Sequence, residues 1–138
     1  MELAKSCDYA IRGLLYLAER PNPFQPVLLR DIASSASAPE AFMSKVFQSL
    51  RASNVVRSHR GRERGYSLAR PPDEISLYDV IVAMKGPAAL NSIHHPPGGG
   101  DGRDAFRRAW KRIEEQFAVA LRSSTLETML QSAAEGRA

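Results

Sequence analysis

Cysteine is scarce in this 138-residue chain, which holds only Cys7. A single thiol excludes an intrachain disulfide and any tetrahedral cysteine metal site made by one chain, so a bridge through it is open only between subunits. Long apolar runs are missing too. None approaches the roughly 20 residues of a membrane span, and the N-terminal MELAKSCDYA has no signal-peptide core, so the cytoplasm is the expected compartment and no membrane partner is expected. Acidic residues are sparse in one place. Between Lys45 and Arg70, Glu63 stands against Lys45, Arg51, Arg57, Arg60, Arg62, Arg64 and Arg70, a local net of +6 in a chain that totals +4. Everything outside that stretch therefore sums to −2. Charge this concentrated suits contact with a phosphate backbone, the alternative being a solvated basic hairpin with no partner. No nucleophile, acid and base constellation is visible, so an enzyme is not expected.

What is present is organised around residues 37–66. Phe42, Val46, Phe47 and Leu50 recur at helical spacing, which predicts an amphipathic helix with these four on its buried face. Either Ser37 or Ser35 serves as N-cap, Pro39 falls in the first turn and Glu40 faces the helix dipole favourably. The opposite face carries Glu40, Ser44, Lys45, Gln48 and Arg51, groups that reach base edges or phosphates. Val55 and Val56 then begin a strand. The run from Arg57 through His59, Arg60, Gly61, Arg62, Glu63 and Arg64 to Gly65 predicts a hairpin whose glycines allow the turn and whose arginines project from its tip.

The flanking segments complete the pattern. Leu3, Cys7, Ala10, Ile11, Leu14, Leu17 and Ala18 form one helical stripe, ended by Pro21, Pro23 and Pro26. A short extended piece at Val27 and Leu28 precedes a second helix over residues 29–34, with Ile32 and Ala33 inward. The SSASAP run then supplies the turn, so residues 29–54 have the cadence of helix-turn-helix. Pro71 and Pro72 close the hairpin, and Ser76 caps a helix carrying Leu77, Val80, Ile81 and Met84, stopped at Gly86-Pro87.

Phe106, Ala109, Trp110, Ile113, Phe117, Ala120 and Leu121 next keep helical spacing over residues 104–122, a helix roughly 28 Å long at 1.5 Å per residue. That exceeds the needs of one small core. A matching helix from a second subunit is its expected cover, through Phe106, Trp110, Ile113, Phe117 and Leu121. The expected fold is mainly α with a small β-hairpin wing: a winged helix-turn-helix over 1–86, a flexible loop over 87–103, dimerisation helices over 104–132 and a tail over 133–138.

The segments AKSCDYAIRGLLYLA, LLRDIASSASAPEAFMSKVFQSLRASNVVRSHRGRERGYSLARPPDEISLYDVIVAMKGP and AWKRIEEQFAVAL span nearly the whole chain. Together they resemble the Rrf-type (IscR/NsrR/CymR-like) bacterial transcription regulators. The resemblance implies a homodimeric, cytoplasmic regulator, most often a repressor, whose two recognition helices read a palindromic double-stranded operator. By position it places DNA contacts on Pro39, Phe42, Ser44, Lys45, Arg60, Arg62 and Arg64. Ser37, Arg51, Arg57 and His59 complete the candidate interface. Arg62-Glu63-Arg64-Gly65 replaces the wing glycine run common in relatives.

The larger departure lies before the long helix, where the cluster-binding relatives carry three cysteines and residues 91–103 have none. Serine, asparagine and proline do not replace thiolate ligands, so no iron–sulfur cluster or other cofactor is expected, and the effector is a small molecule or a protein. The alternative function is a winged-helix interaction module without specific DNA binding. Asp8 reads as a first-turn helix acid. Cys7 has two readings, a buried packing residue or a redox sensor near the dimer seam. His94 and His95 lack the ligand spacing of a metal site.

Overall fold

A computed structural model of the chain describes residues 4–86 and 101–136. Helix α1 (Lys5–Glu19) is followed by α2 (Leu29–Ser35) and α3 (Glu40–Ala52), then by strands β1 (Val56–His59) and β2 (Gly65–Leu68). A 3₁₀ turn at Pro72–Glu74 leads to α4 (Leu77–Lys85), and α5 (Asp101–Ser123) and α6 (Leu126–Gly136) end the described chain. The two strands pair antiparallel from Val56 with Leu68 to His59 with Gly65. Val27 adds a single bridge to Tyr66, through backbone hydrogen bonds of 2.9 Å in each direction, so the extended piece before α2 edges the hairpin.

The core lies where α1, α2 and α3 meet, with Leu14, Leu17, Ile32, Met43, Phe47 and Leu50 buried together. Gly13 lets α1 approach closely: a Cβ there would stand 2.9 Å from both Met43 Cε and Phe47 Cε1. Met43, not Phe42, shares the buried face of α3 with Val46, Phe47 and Leu50. Phe42 lies one position earlier, about 100° round the helix, and is 36% exposed. Its ring meets Tyr9 of α1 edge-on, 5.5 Å between centroids.

The start of α3 differs from expectation for a definite reason. Its N-cap is Pro39, with no side-chain cap, because Ser37 is occupied in ending α2. Ser37 adopts φ +54°, its N–H donates to Ser34 O (3.1 Å), and the Ala38 N–H donates to Ala33 O (2.9 Å). This is the paired closure of a Schellman motif with Ser37 in the left-handed position. The end of α3 repeats it. Asn54 has φ +59°, with its N–H on Arg51 O (3.0 Å) and the Val55 N–H on Leu50 O (2.9 Å).

Ser76 does cap α4 as expected, in a reciprocal box: Asp79 N–H donates to Ser76 Oγ (3.2 Å) and Ser76 N–H to Asp79 Oδ2 (2.9 Å). The long helix α5 begins at 101 and runs 23 residues, about 34 Å, so it is longer than the spacing of its apolar residues indicates. Helix α6 runs to Gly136, past the 132 at which fraying is expected; its buried Leu126 and half-buried Leu130 join the core of the first helices, and residues 131–136 are exposed. Hydrogen bonds from Leu77 N–H to Ser124 O (2.8 Å) and from Leu126 N–H to Ile75 O (2.9 Å) hold the α5–α6 junction beside the start of α4. No described helix is long and apolar enough to cross a membrane.

Candidate nucleic-acid interface

Two elements build the basic surface. The first is the face of α3 opposite its buried residues, where Glu40, Lys45, Gln48 and Arg51 are exposed and Ser44 is half-buried, accepting a hydrogen bond from Gln48 Nε2 (3.2 Å). The second is the wing, whose Arg57, Arg60, Arg62 and Arg64 are all exposed. Phe47 and Tyr66 pack edge-on beneath them and join the two elements.

Between these elements lies an open cleft of about 690 Å³, lined by Glu40, Gln48 and Arg51 of α3, Ser58, His59, Arg60 and Arg64 of the wing, and Arg30 of α2. Sequence reasoning did not single out Arg30. Its position in the first turn of a separate helix hides it from any count along residues 45–70. Its guanidinium stands 3.9 Å from Asp31, a loose and exposed pairing that leaves the cation available to solvent.

The remaining expected contacts divide. Pro39 and Phe42 are exposed at the start of α3, beside the cleft-lining Glu40. Ser37 is exposed, but its backbone closes α2. His59 is half-buried, and its Nε2 shares a 2.7 Å hydrogen bond with Ser67 Oγ on the neighbouring strand, so one ring nitrogen is committed within the hairpin. Arg70 braces the base of the wing, donating to Glu74 O (3.0 Å) and standing 3.7 Å from Asp79. That contact ties the wing to the N-terminus of α4.

The apolar stripe of α5 is largely uncovered. Phe106, Ile113 and Phe117 are 56%, 51% and 37% exposed, whereas the main partner of α5 within the chain is α4. Trp110 is half-buried, its ring stacked near Phe106 (6.3 Å) and its indole N–H donating to Glu114 Oε1 (2.8 Å). Leu121 differs from the others. It is buried inside its own chain against Cys7 and Ile81, where α1, α4 and α5 meet, because the helix turns that side toward its own domain.

Cys7 itself is fully buried. Burial pushes its thiol up, against smaller opposing effects of the Lys85 charge and a Ser6 hydrogen bond. Asp8 is paired instead with Arg12 (3.1 Å), one turn on, and Arg12 also reaches the Ala36 carbonyl (3.5 Å) in the turn before α3. Among the described residues no three of His, Cys, Asp and Glu lie together as a metal would require. His94 and His95 lie outside the described residues.

Comparison with known proteins agrees with this architecture. The model of the Rrf2 family, described as iron-dependent transcriptional regulators, matches residues 3–132. A helix-turn-helix-type transcriptional regulator of Mycobacterium tuberculosis is 39% identical over 132 residues, covering 91% of this chain and 79% of the relative. CymR of Bacillus subtilis is 28% identical over 129 residues, covering 94% and 89%. In structure, CymR, the global cysteine regulator of B. subtilis, superposes with a TM-score of 0.79 at 26% identity over 96% of this chain and 98% of its own. IscR of T. potens gives 0.75 at 26% identity over 100% and 92%. These relatives are regulators rather than enzymes, and with the winged helix-turn-helix and its basic face they place the chain in the Rrf2 family of transcriptional regulators.

Proposed function

We propose that this chain is a homodimeric, sequence-specific DNA-binding repressor that works without an iron–sulfur cluster. The observation that carries the reading is the shared cleft, in which the polar face of α3 and the arginine-bearing wing border one open space. In that arrangement α3 enters the major groove with Ser44 and Lys45 at base edges. Arg60, Arg62 and Arg64 follow the backbone and the adjacent minor groove. Pro39 and Phe42 approach the DNA at the start of the helix, and Phe42 offers an apolar surface to a thymine methyl.

The uncovered stripe of Phe106, Ile113 and Phe117 supports a dimer through α5, with Trp110 as an anchor at its edge. The absence of a cluster rests on donor chemistry. One buried, protonated thiol does not supply the several thiolates that hold iron and sulfide, and the chain has no second cysteine. On the same grounds Cys7 acts as a packing residue, and the signal reaches the protein as a small molecule or a protein partner.

Genome-wide capture of DNA fragments by the purified protein tests the reading at fixed salt. The expected result is a palindromic motif with half-sites about 34–36 Å apart. Ser44→Ala or Lys45→Ala should shift the preferred sequence, whereas Arg62→Ala should weaken every sequence alike. Recovery of no motif would favour an interaction module that keeps the fold alone.

A further inference from the structure

We propose that a second cleft, which shares Leu28 and Arg64 with the first, binds an oxyanion: a phosphate or carboxylate group seated by Arg20 at the end of α1 and by Arg62 and Arg64 at the wing tip. The cleft has a volume of about 410 Å³, within the size range of small-ligand sites. Arg20 is its distinguishing feature. The residue is half-buried, and its Nε is buried with no hydrogen-bond partner. The Arg70 Nε is likewise buried without a partner, but Arg70 donates through Nη1 to Glu74 O and stands 3.7 Å from Asp79, whereas Arg20 makes no ion pair among the described residues; a buried N–H is nearly always satisfied. An arriving oxyanion would accept from this open Nε–H in a charge-assisted hydrogen bond.

The wing supplies the other cations. Arg62 and Arg64 are exposed and make no ion pair among the described residues, and Tyr16 and Gln25 add neutral polar groups to the wall. Two carboxylates share the cleft. Asp31 has only the loose 3.9 Å pairing with Arg30 and Glu63 sits at the tip between the two arginines, so both compete with an entering anion. Arg64 and Leu28 line both clefts, so an anion seated here draws on an arginine that the DNA reading also uses. The two events are therefore linked reciprocally.

The oxyanion has two sources, a free small molecule or a phosphate of the DNA backbone, and one experiment with two arms separates them. In the first, the DNA-free protein is titrated with inorganic phosphate and then with citrate at constant ionic strength, following the Arg20 Nε–H resonance. In the second, binding to random-sequence duplex is measured against salt for wild type and Arg20→Gln. A saturable shift with an unchanged salt slope identifies a free anion. A flat titration with a slope shallower by about 0.9 in Arg20→Gln identifies a backbone phosphate. Glu63→Gln, on the exposed turn, should tighten whichever binding is seen by at least threefold. A flat titration together with an unchanged slope overturns the proposal, as does a fall in the melting temperature of Arg20→Gln as its only effect. If the duplex is not bound at all, the DNA reading fails while the phosphate titration still decides this one.

Discussion

The rings of Phe47 and Tyr66 meet edge to face with 5.2 Å between centroids and 70° between planes. Phe47 is the buried centre of α3 and Tyr66 belongs to β2, so this contact joins α3 to the wing. Phe47→Ala should cost about 3–5 kcal/mol in urea unfolding, because it empties a fully buried site. Tyr66→Ala should cost less. A double-mutant cycle should return a coupling of about 0.5–1.5 kcal/mol, and a coupling near zero would mean that the wing is positioned by its backbone alone.

Gly65 faces Val27 across the bridge that edges the hairpin. Its φ is +130°, and a Cβ there would overlap the Val27 carbonyl. Gly65→Ala should therefore break the Val27–Tyr66 hydrogen bonds and destabilise by at least about 1 kcal/mol, with faster hydrogen exchange at those two amides. Gly61 should behave differently. Its φ is +93° but nothing lies within 4 Å, so Gly61→Ala carries only the conformational strain.

Ser37 holds the left-handed position that ends α2. Ser37→Gly should stabilise the protein by a few tenths to about 1 kcal/mol, since relief of the left-handed strain outweighs the added freedom of the unfolded chain. The urea midpoint should rise with m unchanged. A fall in stability would show that the Ser37 side chain holds the turn.

Cys7 predicts a pH effect with a definite sign. Its folded thiol is pushed above the ordinary value, so the folded state holds the proton more tightly than the unfolded chain. The contribution is fully present below the ordinary thiol value of 9.0 and is lost as pH rises from there through the folded value. A thiol reagent should react slowly with native protein and at full rate in denaturant. Cys7→Ser, which buries a hydroxyl, should cost about 1–3 kcal/mol. Rapid native reaction would restore the redox reading.

Ile113 stands near the middle of the uncovered stripe on α5. Ile113→Glu places a charge in the proposed dimer seam and should shift the sedimentation equilibrium to monomer with little change in helix content. A monomeric wild type would remove α5 as the dimer seam.

The sequence by itself determined the order and type of the elements, because helical spacing, turn residues and prolines act over a few residues. Leu14, Ile32, Val46, Phe47 and Leu50 declared their helices, Gly61 and Gly65 their hairpin, and the arginine cluster its basic face. The lone cysteine likewise bounded the donor chemistry without any fold. Tertiary structure decided what depends on approach between distant segments. Whether Phe42 or Met43 faces inward rests on the packing of α1 through Gly13, since both fit an apolar arc about 100° wide. Ser37 had the composition of an N-cap, but two backbone hydrogen bonds assigned it to the preceding helix. Leu121 and Phe117 belong to one stripe, and only the placement of α5 against Cys7 and Ile81 separates the buried residue from the exposed one. Arg30 and Arg20 joined the wing arginines for the same reason: burial and partnership belong to the folded chain, where residues far apart in sequence share one surface.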